Sequence, residues 1–412
     1  MTMKRREFIR TSVGTSAAIV AGSATPWAFA RKAPLGRADR SLKILILGGT
    51  RFLGPATVDA ALARGHTVTL FNRGRSNTEL FPDIEKLYGD RDPKKADERK
   101  GEDGEALEPR WGGGEGLKSI ANEIAGGRRW DVVVDTSGYF PRIAKASAQL
   151  LAPAVEHYTF ISTVSVYAGF AEPGRDESAT IGTIEDPTIE SFGNQFQNYG
   201  PLKALCEQEI EKAMPGRVAN VRPGLIVGPR DSTDRFTYWP VRVSRGGEVL
   251  APGTPDDPIQ LIDVRDLAEF VIHLAERRTA GVFNALGPKA GELTIGKLLT
   301  ACKSVSGSDA SFTWADAEFL ASNGVQPWAH MPVWIPPQGE TAGFHRWDVS
   351  ASVAAGLAFR PVEDIVKGTL DWWNGLTDEQ RNTHGLMQDP PRSGISAARE
   401  KELLASWHEQ HG

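Results

Sequence analysis

A short, mostly apolar run, Lys43-Ile44-Leu45-Ile46-Leu47, ends in a glycine turn, Gly48-Gly49-Thr50-Arg51-Phe52-Leu53-Gly54, and a helical pattern continues over 55–64. The run suits a strand buried on both faces of a parallel sheet. Glycines let the chain turn sharply and bring backbone N–H groups close to a ligand. The helix then offers its positive N-terminus to a pyrophosphate. His66-Thr67-Val68-Thr69-Leu70-Phe71 reads as a second strand, which completes a βαβ unit of the size a dinucleotide site needs. The alternative is a tight turn with no ligand.

The next hundred residues largely repeat that alternation. Lys86-Leu87-Tyr88-Gly89-Asp90 reads as a third strand end, Trp130-Asp131-Val132-Val133-Val134-Asp135 as a fourth strand and Tyr158-Thr159-Phe160-Ile161 as a fifth, with helical patterns over 117–125 and 142–151. Regular strand–helix alternation predicts an α/β fold, a doubly wound parallel Rossmann sheet. Ligands in such sheets sit at the carboxyl ends of the strands. The glycine turn, Asn72, Asp90, Thr136 and Thr163 all fall at such ends and are expected to line one crevice. Asp90 is placed to touch an adenine ring. No acid stands near position 72 to accept from ribose hydroxyls, whereas Arg73 and Arg75 are close by. Guanidinium groups suit a 2′-phosphate, which favours NADP over NAD. The alternative is a pair of solvated surface charges.

The charged, glycine-rich stretch over 91–116 has no Gly-Lys-Ser/Thr to make it a phosphate loop, and reads as a solvated insertion. Lys4-Arg5-Arg6-Glu7-Phe8-Ile9-Arg10, a mildly apolar region over 11–20 and Ala28-Phe29-Ala30 read as a twin-arginine signal peptide over 1–30. That places the protein in the periplasm or outside the cell. The apolar region is too short for a stable membrane anchor. The signal holds four basic residues and one acidic, so its removal takes the formal charge from −5 to −8. An acidic protein is a poor binder of phosphate backbones. Cys206 and Cys302 show no metal-ligand or disulfide spacing, and no metal site is expected.

Asn198-Tyr199-Gly200-Pro201-Leu202-Lys203 begins a further helix, with Pro201 tolerable only in its first turn and Tyr199 and Lys203 on one face. The glycine turn, the strand end Ser162-Thr163-Val164-Ser165-Val166-Tyr167 and Tyr199-x-x-x-Lys203 together resemble the extended short-chain dehydrogenase/reductases, the NAD-dependent epimerase/dehydratase family. Val218-Ala219-Asn220-Val221-Arg222-Pro223-Gly224-Leu225-Ile226-Val227-Gly228-Pro229 looks like that family's sixth strand and the turn into its substrate region, and Ile259-Gln260-Leu261-Ile262-Asp263-Val264-Arg265-Asp266-Leu267-Ala268 like its late strand and helix start. The resemblance spans roughly 42–288. Arg51 stands where the family has its middle glycine, as in a branch that includes chloroplast stem-loop RNA-binding proteins.

The resemblance implies a Rossmann domain over 42–224. A smaller, loop-rich substrate domain over 225–390 is interleaved with the last Rossmann elements at 259–288, and a polar helical tail runs over 391–412. It implies a catalytic triad of Thr163, Tyr199 and Lys203. Tyr199 exchanges the proton, Thr163 orients the reacting oxygen, and Lys203 lowers the phenol's pKa and holds the nicotinamide ribose. Gly48, Thr50, Arg51, Phe52, Leu53, Gly54, Asn72, Arg73, Asp90, Tyr199 and Lys203 are the expected cofactor-binding residues. Seven tryptophans after position 288, from Trp314 to Trp407, are expected mainly to pack that loop-rich region, with sugar stacking as the alternative. Three function classes are open: a redox-neutral epimerase, isomerase or dehydratase on a sugar-like substrate; an NADP-dependent dehydrogenase or reductase; and a non-enzymatic RNA binder. The charge, the Tyr-Lys pair and the export signal count against the RNA binder, so the expected partner is a small-molecule substrate and no nucleic acid; a homodimer is compatible with the chain.

Overall fold

The computed structural model describes residues 36–92 and 116–411. The segment over 1–30, read as a signal, and all of the charged insertion but its edges lie outside the described residues. Seven strands form the central sheet: β1 (Lys43–Leu47), β2 (Thr67–Asn72), β3 (Glu85–Tyr88), β4 (Val132–Asp135), β5 (His157–Ile161), β6 (Val218–Pro223) and, last in the chain, Gly281–Ala285. Their order is the last strand, then β6-β5-β4-β1-β2-β3, and every pairing is parallel. Leu47 pairs with Phe71 on one side and Asp135 on the other, so the strand order reverses at β1. Such a reversal opens a crevice at the strands' carboxyl ends.

Helices cover both faces of the sheet. Helices α1 (Leu53–Ala63), α2 (Lys118–Ala125), α3 (Pro141–Leu151) and α4 (Tyr199–Ala213) come in chain order. Ile44 and Ile46 of β1 pack with Val58 and Ala61 of α1, and Leu267, Val271 and Leu274 of the helix Val264–Arg277 join that layer. Leu45 and Leu47 face the other way, onto Ile120, Ala144, Ala148 and Cys206 of α2, α3 and α4. Each fully buried Leu or Ile contributes about 1.5–3 kcal/mol, which explains why β1 is apolar without a break from Ile44 to Leu47. Helix α1 begins at Leu53, two residues before the pattern read from the sequence.

The region after 225 has its own core, built around Trp239, Phe236, Trp334 and the Leu298–Leu299 face of Ile295–Ser306. Trp328, Trp334, Trp347, Trp372 and Trp373 are buried, so packing is their main work. Trp334 donates from Nε1 to Asp257 at 2.7 Å. One expected sheet element differs. Leu261–Asp263 pairs with Leu225–Val227 in a separate two-stranded ribbon, and only Gly281–Ala285 returns to the central sheet. Both cysteines are buried, free thiols.

Candidate active site

The strands' carboxyl ends open onto one crevice of ≈ 740 Å³. At its first end Gly48 and Gly49 have φ of 114° and 93°, and a Cβ on Gly48 would sit 2.4 Å from Thr136 Oγ1. Only glycine adopts this turn without strain. A Cβ on Gly54 would meet Gly49 Cα at 2.6 Å, so the third glycine lets α1 start against the turn. No side chain caps the N-terminus of α1. Thr50, Arg51, Phe52 and Leu53 line the crevice there, and uncapped N–H groups at a helix start suit an anion. Phe52 has φ of 38°, and Asn77 Nδ2 ties the turn down through Thr50 O at 2.6 Å.

At the end of β2, Asn72 Oδ1 accepts from the Gly74 N–H at 2.9 Å and shapes the turn that presents Arg73 and Arg75. Both arginines line the crevice and are exposed. Arg51 reaches the same corner, where its Nε donates to Ser76 Oγ at 3.1 Å. Asp90, half-buried past β3, accepts from the Asp92 N–H at 2.9 Å. Its neighbour Arg91 is turned inward onto Asp135, with Nη2 2.6 Å from Oδ2, and that carboxylate also accepts from Tyr158.

Further along, Thr163, Tyr199 and Lys203 come together as the sequence implied. Thr163 begins a short helical turn after β5, and its Oγ1 accepts from the Ser165 N–H at 3.1 Å. Gly200 lets α4 approach that turn, since a Cβ there would lie 1.9 Å from the Ser165 carbonyl oxygen. The close approach brings the Tyr199 phenol beside Thr163, which acts on its ionisation. Lys203 is 2% exposed, and its Nζ donates to the carbonyls of Gly138 and Ile161, each at 2.6 Å. The ammonium also sits 4.0 Å from the centre of the Phe160 ring.

The electrostatics of the Tyr199 phenol involve a second cation. Burial raises the Tyr199 phenol above its ordinary value, Tyr139 adds to that, and the Thr163 hydrogen bond and the charge of Arg235 pull the other way. Lys203 is turned to its two carbonyls, and Arg235 is the cation whose charge favours the phenolate. Burial brings Lys203 itself down to about 8. Among the described residues no group of three or more His, Cys, Asp or Glu side chains is placed to hold a metal, and no helix is long and apolar enough to cross a membrane.

Residues 130–285 match the model of the NAD dependent epimerase/dehydratase family. A curated relative, the chloroplast stem-loop binding protein of 41 kDa b from Arabidopsis thaliana, is 25% identical over 285 residues. The match covers 66% of this chain and 65% of the relative's length. Among solved structures, the Bordetella bronchiseptica enzyme WbmH in complex with NAD+ superposes with a TM-score of 0.55 at 14% identity, covering 82% of this chain and 99% of that one. UDP-glucose 4-epimerase from Thermotoga maritima with UDP-glucose gives 0.52 at 17% identity, covering 81% and 99%. At these identities the two structures share the fold. The family model starts at β4 and ends with the last strand of the sheet, so it includes the Thr163 turn and Tyr199-x-x-x-Lys203.

Beyond Tyr199 the crevice continues into a wall whose residues the sequence did not assign to the site. Phe170, Leu225, Ile226, Leu286, Trp328 and Phe344 supply its apolar part. Asp231, Ser232, Thr233 and Arg235, from the loop after Leu225–Val227, supply most of its polar part. Asp231 is 1% exposed and accepts from Thr233 at the N–H (2.9 Å) and at Oγ1 (2.7 Å). At the rim, Arg142 binds Asp92 (2.8 and 3.0 Å) and Glu190 (Nη2–Oε2 2.9 Å). Phe192 from the same loop stacks on Phe140 at 5.3 Å and meets Tyr199 edge-on at 5.5 Å. Most of these residues sit in loops with no periodicity. The one local clue was Pro229-Arg230-Asp231 after a strand, a turn signal without a ligand.

Proposed function

We propose that the protein is an exported NAD(P)-dependent enzyme, an epimerase, isomerase or dehydratase that acts redox-neutrally on a sugar-like hydroxy or carbonyl substrate and keeps its cofactor tightly bound. The observation that carries this reading is the convergence of the glycine turn with Thr163, Tyr199 and Lys203 on one crevice at the sheet's switch point. The residues present suit a dinucleotide. The turn has room only for glycine where a pyrophosphate would approach, the start of α1 is uncapped, and Asp90 stands where an adenine edge would lie. Arg51, Arg73 and Arg75 gather at the end of β2, and this supports NADP over NAD. When bound, the nicotinamide supplies a hydride acceptor or donor.

The chain's own groups move and hold the proton. Tyr199 gives or takes it at the substrate oxygen, which Thr163 orients by hydrogen bonding. Lys203 fixes the 138–140 loop and the end of β5 through its two carbonyl partners, so the floor beside Tyr199 is rigid. The aromatic wall excludes water from the reacting oxygen. Export is supported by the basic, apolar and small-residue segments over 1–30. A folded passenger can carry its cofactor across, and outside the cell a cofactor of about −8 kcal/mol, micromolar affinity, would be lost by dilution. Slow release, and so turnover that restores the cofactor in place, fits that setting. The net charge of −8 expected after signal removal speaks against RNA as a ligand, whatever the chloroplast relative's name says of that protein.

The test is to incubate the purified protein with a panel of sugars and carbonyl compounds while following cofactor absorbance and product by mass spectrometry. Conversion of one sugar-like compound without net cofactor turnover is expected. Turnover that consumes added NADPH in proportion to product would replace this reading with a reductase.

A further inference from the structure

One arginine at the rim of the crevice holds two carboxylates from distant parts of the chain. Arg142 stands in the first turn of α3, after β4. Its Nη1 and Nη2 donate to the two carboxylate oxygens of Asp92 at 2.8 and 3.0 Å. Its Nε and Nη2 donate to Glu190, Nη2 at 2.9 Å. Isolated surface ion pairs contribute little, whereas a bidentate arginine in a network of charges is the exception. Both carboxylates line the crevice, Asp92 buried and Glu190 exposed.

Each carboxylate belongs to a fixed piece of the wall. The Asp92 N–H donates to Asp90 at 2.9 Å, so the grip on Asp92 also holds the turn where an adenine edge would lie. Glu190 begins a segment, residues 190–198, that folds on itself before α4. The Asn198 N–H donates to the Phe192 carbonyl at 3.1 Å, Asn198 Nδ2 donates to the Ser191 carbonyl at 3.2 Å, and Phe192 stacks on Phe196 at 5.6 Å. The segment runs straight into Tyr199, whose N–H donates to the Phe196 carbonyl at 3.1 Å. Phe192 reaches back to the start of α3, stacked on Phe140 and edge-on to Tyr199. Asp92, Phe140 and Glu190 thus make a side wall from Asp90 to Tyr199. That is the course a dinucleotide takes over the strands' carboxyl ends.

We propose that Arg142 is a positioning residue for the cofactor: it latches the 190–198 segment to the 90–92 turn, and the latch must open before a bound dinucleotide can leave. The proposal rests on the enzymatic reading above and gives its retained cofactor a physical cause. The latch is polar and open to solvent, since the Arg142 side chain is 31% exposed, so ions in solution weaken it. Release therefore speeds up with salt through this residue, beyond any effect of salt on the arginines at the end of β2.

The experiment loads the full mature protein with NADPH, or with NADH if that is the dinucleotide it takes. The complex is mixed with a large excess of the oxidised form, and release is followed by loss of nicotinamide fluorescence. Arg142→Ala and Glu190→Gln should each release cofactor about five-fold faster, the scale that a bidentate pair near the surface allows. Arg142→Lys, which keeps the charge without the fork, should fall between them and wild type. Raising the salt from about 0.05 to about 0.5 M should speed release from wild type more than from Arg142→Ala. Glu190→Gln alters an exposed side chain and leaves Arg142 on Asp92, so it guards against misfolding in the alanine variant. Release from both variants within about two-fold of wild type overturns the proposal, and so does an equal salt response in wild type and Arg142→Ala. Faster release from Arg142→Ala alone also overturns it, by placing the effect at Asp92 and leaving the 190–198 segment out of the latch. The enzymatic reading fails separately, if the protein holds no dinucleotide and takes none up.

Discussion

Lys203 gives a test in which the sign and size both come from burial. Its ammonium is enclosed, and its pKa falls from 10.5 to about 8 because desolvation outweighs the attraction of Cys206, Asp135 and Glu207. Below pH 8 both folded and unfolded chains carry the proton, and the folded state bears the cost of the buried charge. Between about 8 and 10.5 the unfolded chain still binds the proton while the folded one has released it, so this group makes unfolding free energy rise with pH. That fall, at about 1.36 kcal/mol per pH unit, bounds the gain at about 3 kcal/mol. Lys203→Met removes this contribution. Guanidinium unfolding of the cofactor-free protein, followed by tryptophan fluorescence at several pH values from about 7.5 to about 10.5, compares the two proteins. Tyrosines that titrate in the unfolded chain lower stability at the top of this range, but they are common to both and cancel in the difference. Wild type should gain on the variant by up to about 3 kcal/mol across the window. A difference that stays constant with pH would show that Lys203 is not a buried ammonium at neutral pH, and the reasoning about its environment would be wrong.

Other perturbations draw on the same geometry. Tyr199→Phe should cut turnover by about 10²–10⁴ with cofactor content unchanged; activity within a few-fold of wild type would remove the hydroxyl from its role. Gly200→Ala inserts a methyl 1.9 Å from the Ser165 carbonyl, and although alanine is the better helix former it should cost about 1–3 kcal/mol in a thermal melt and lower kcat. A stabilised, fully active Gly200→Ala protein would contradict the close packing that brings Tyr199 to Thr163. Arg73→Ala should weaken NADP(H) more than NAD(H) in calorimetry, and equal losses would take Arg73 out of cofactor discrimination.

The parts of this structure that were legible in the sequence are those ruled by local periodicity. Strand β1 is apolar at every inward position because both its faces are covered, so it stood out, as did β4 and the helices that alternate with them. Gly48 and Gly54 were legible because a turn at that place demands them. Tyr199 and Lys203 were legible through the family resemblance, four apart at the start of a helix. What brings them to work was not. Gly200 is an ordinary residue in the sequence, and its close approach to Ser165 is a tertiary fact. Arg235 and Trp328 are 93 residues apart, and only the folded chain stacks one on the other. The role given to Lys203 in lowering the phenol's pKa came from the resemblance. The structure turns its Nζ onto two carbonyls and leaves Arg235 as the nearby cation. The segment Leu261–Asp263 read correctly as a strand, but no local pattern shows which sheet a three-residue strand joins.

The central claim is that the crevice at the head of β1 holds a dinucleotide beside Tyr199 and does not release it readily. The mature protein should be purified from the periplasm without added nucleotide, denatured, and its supernatant assayed by mass spectrometry. NADP(H), or else NAD(H), is expected at close to one per chain. A protein that emerges empty yet active only when cofactor is supplied for every turnover would contradict the claim of a retained cofactor. An empty protein that binds neither dinucleotide would contradict the enzymatic account as a whole.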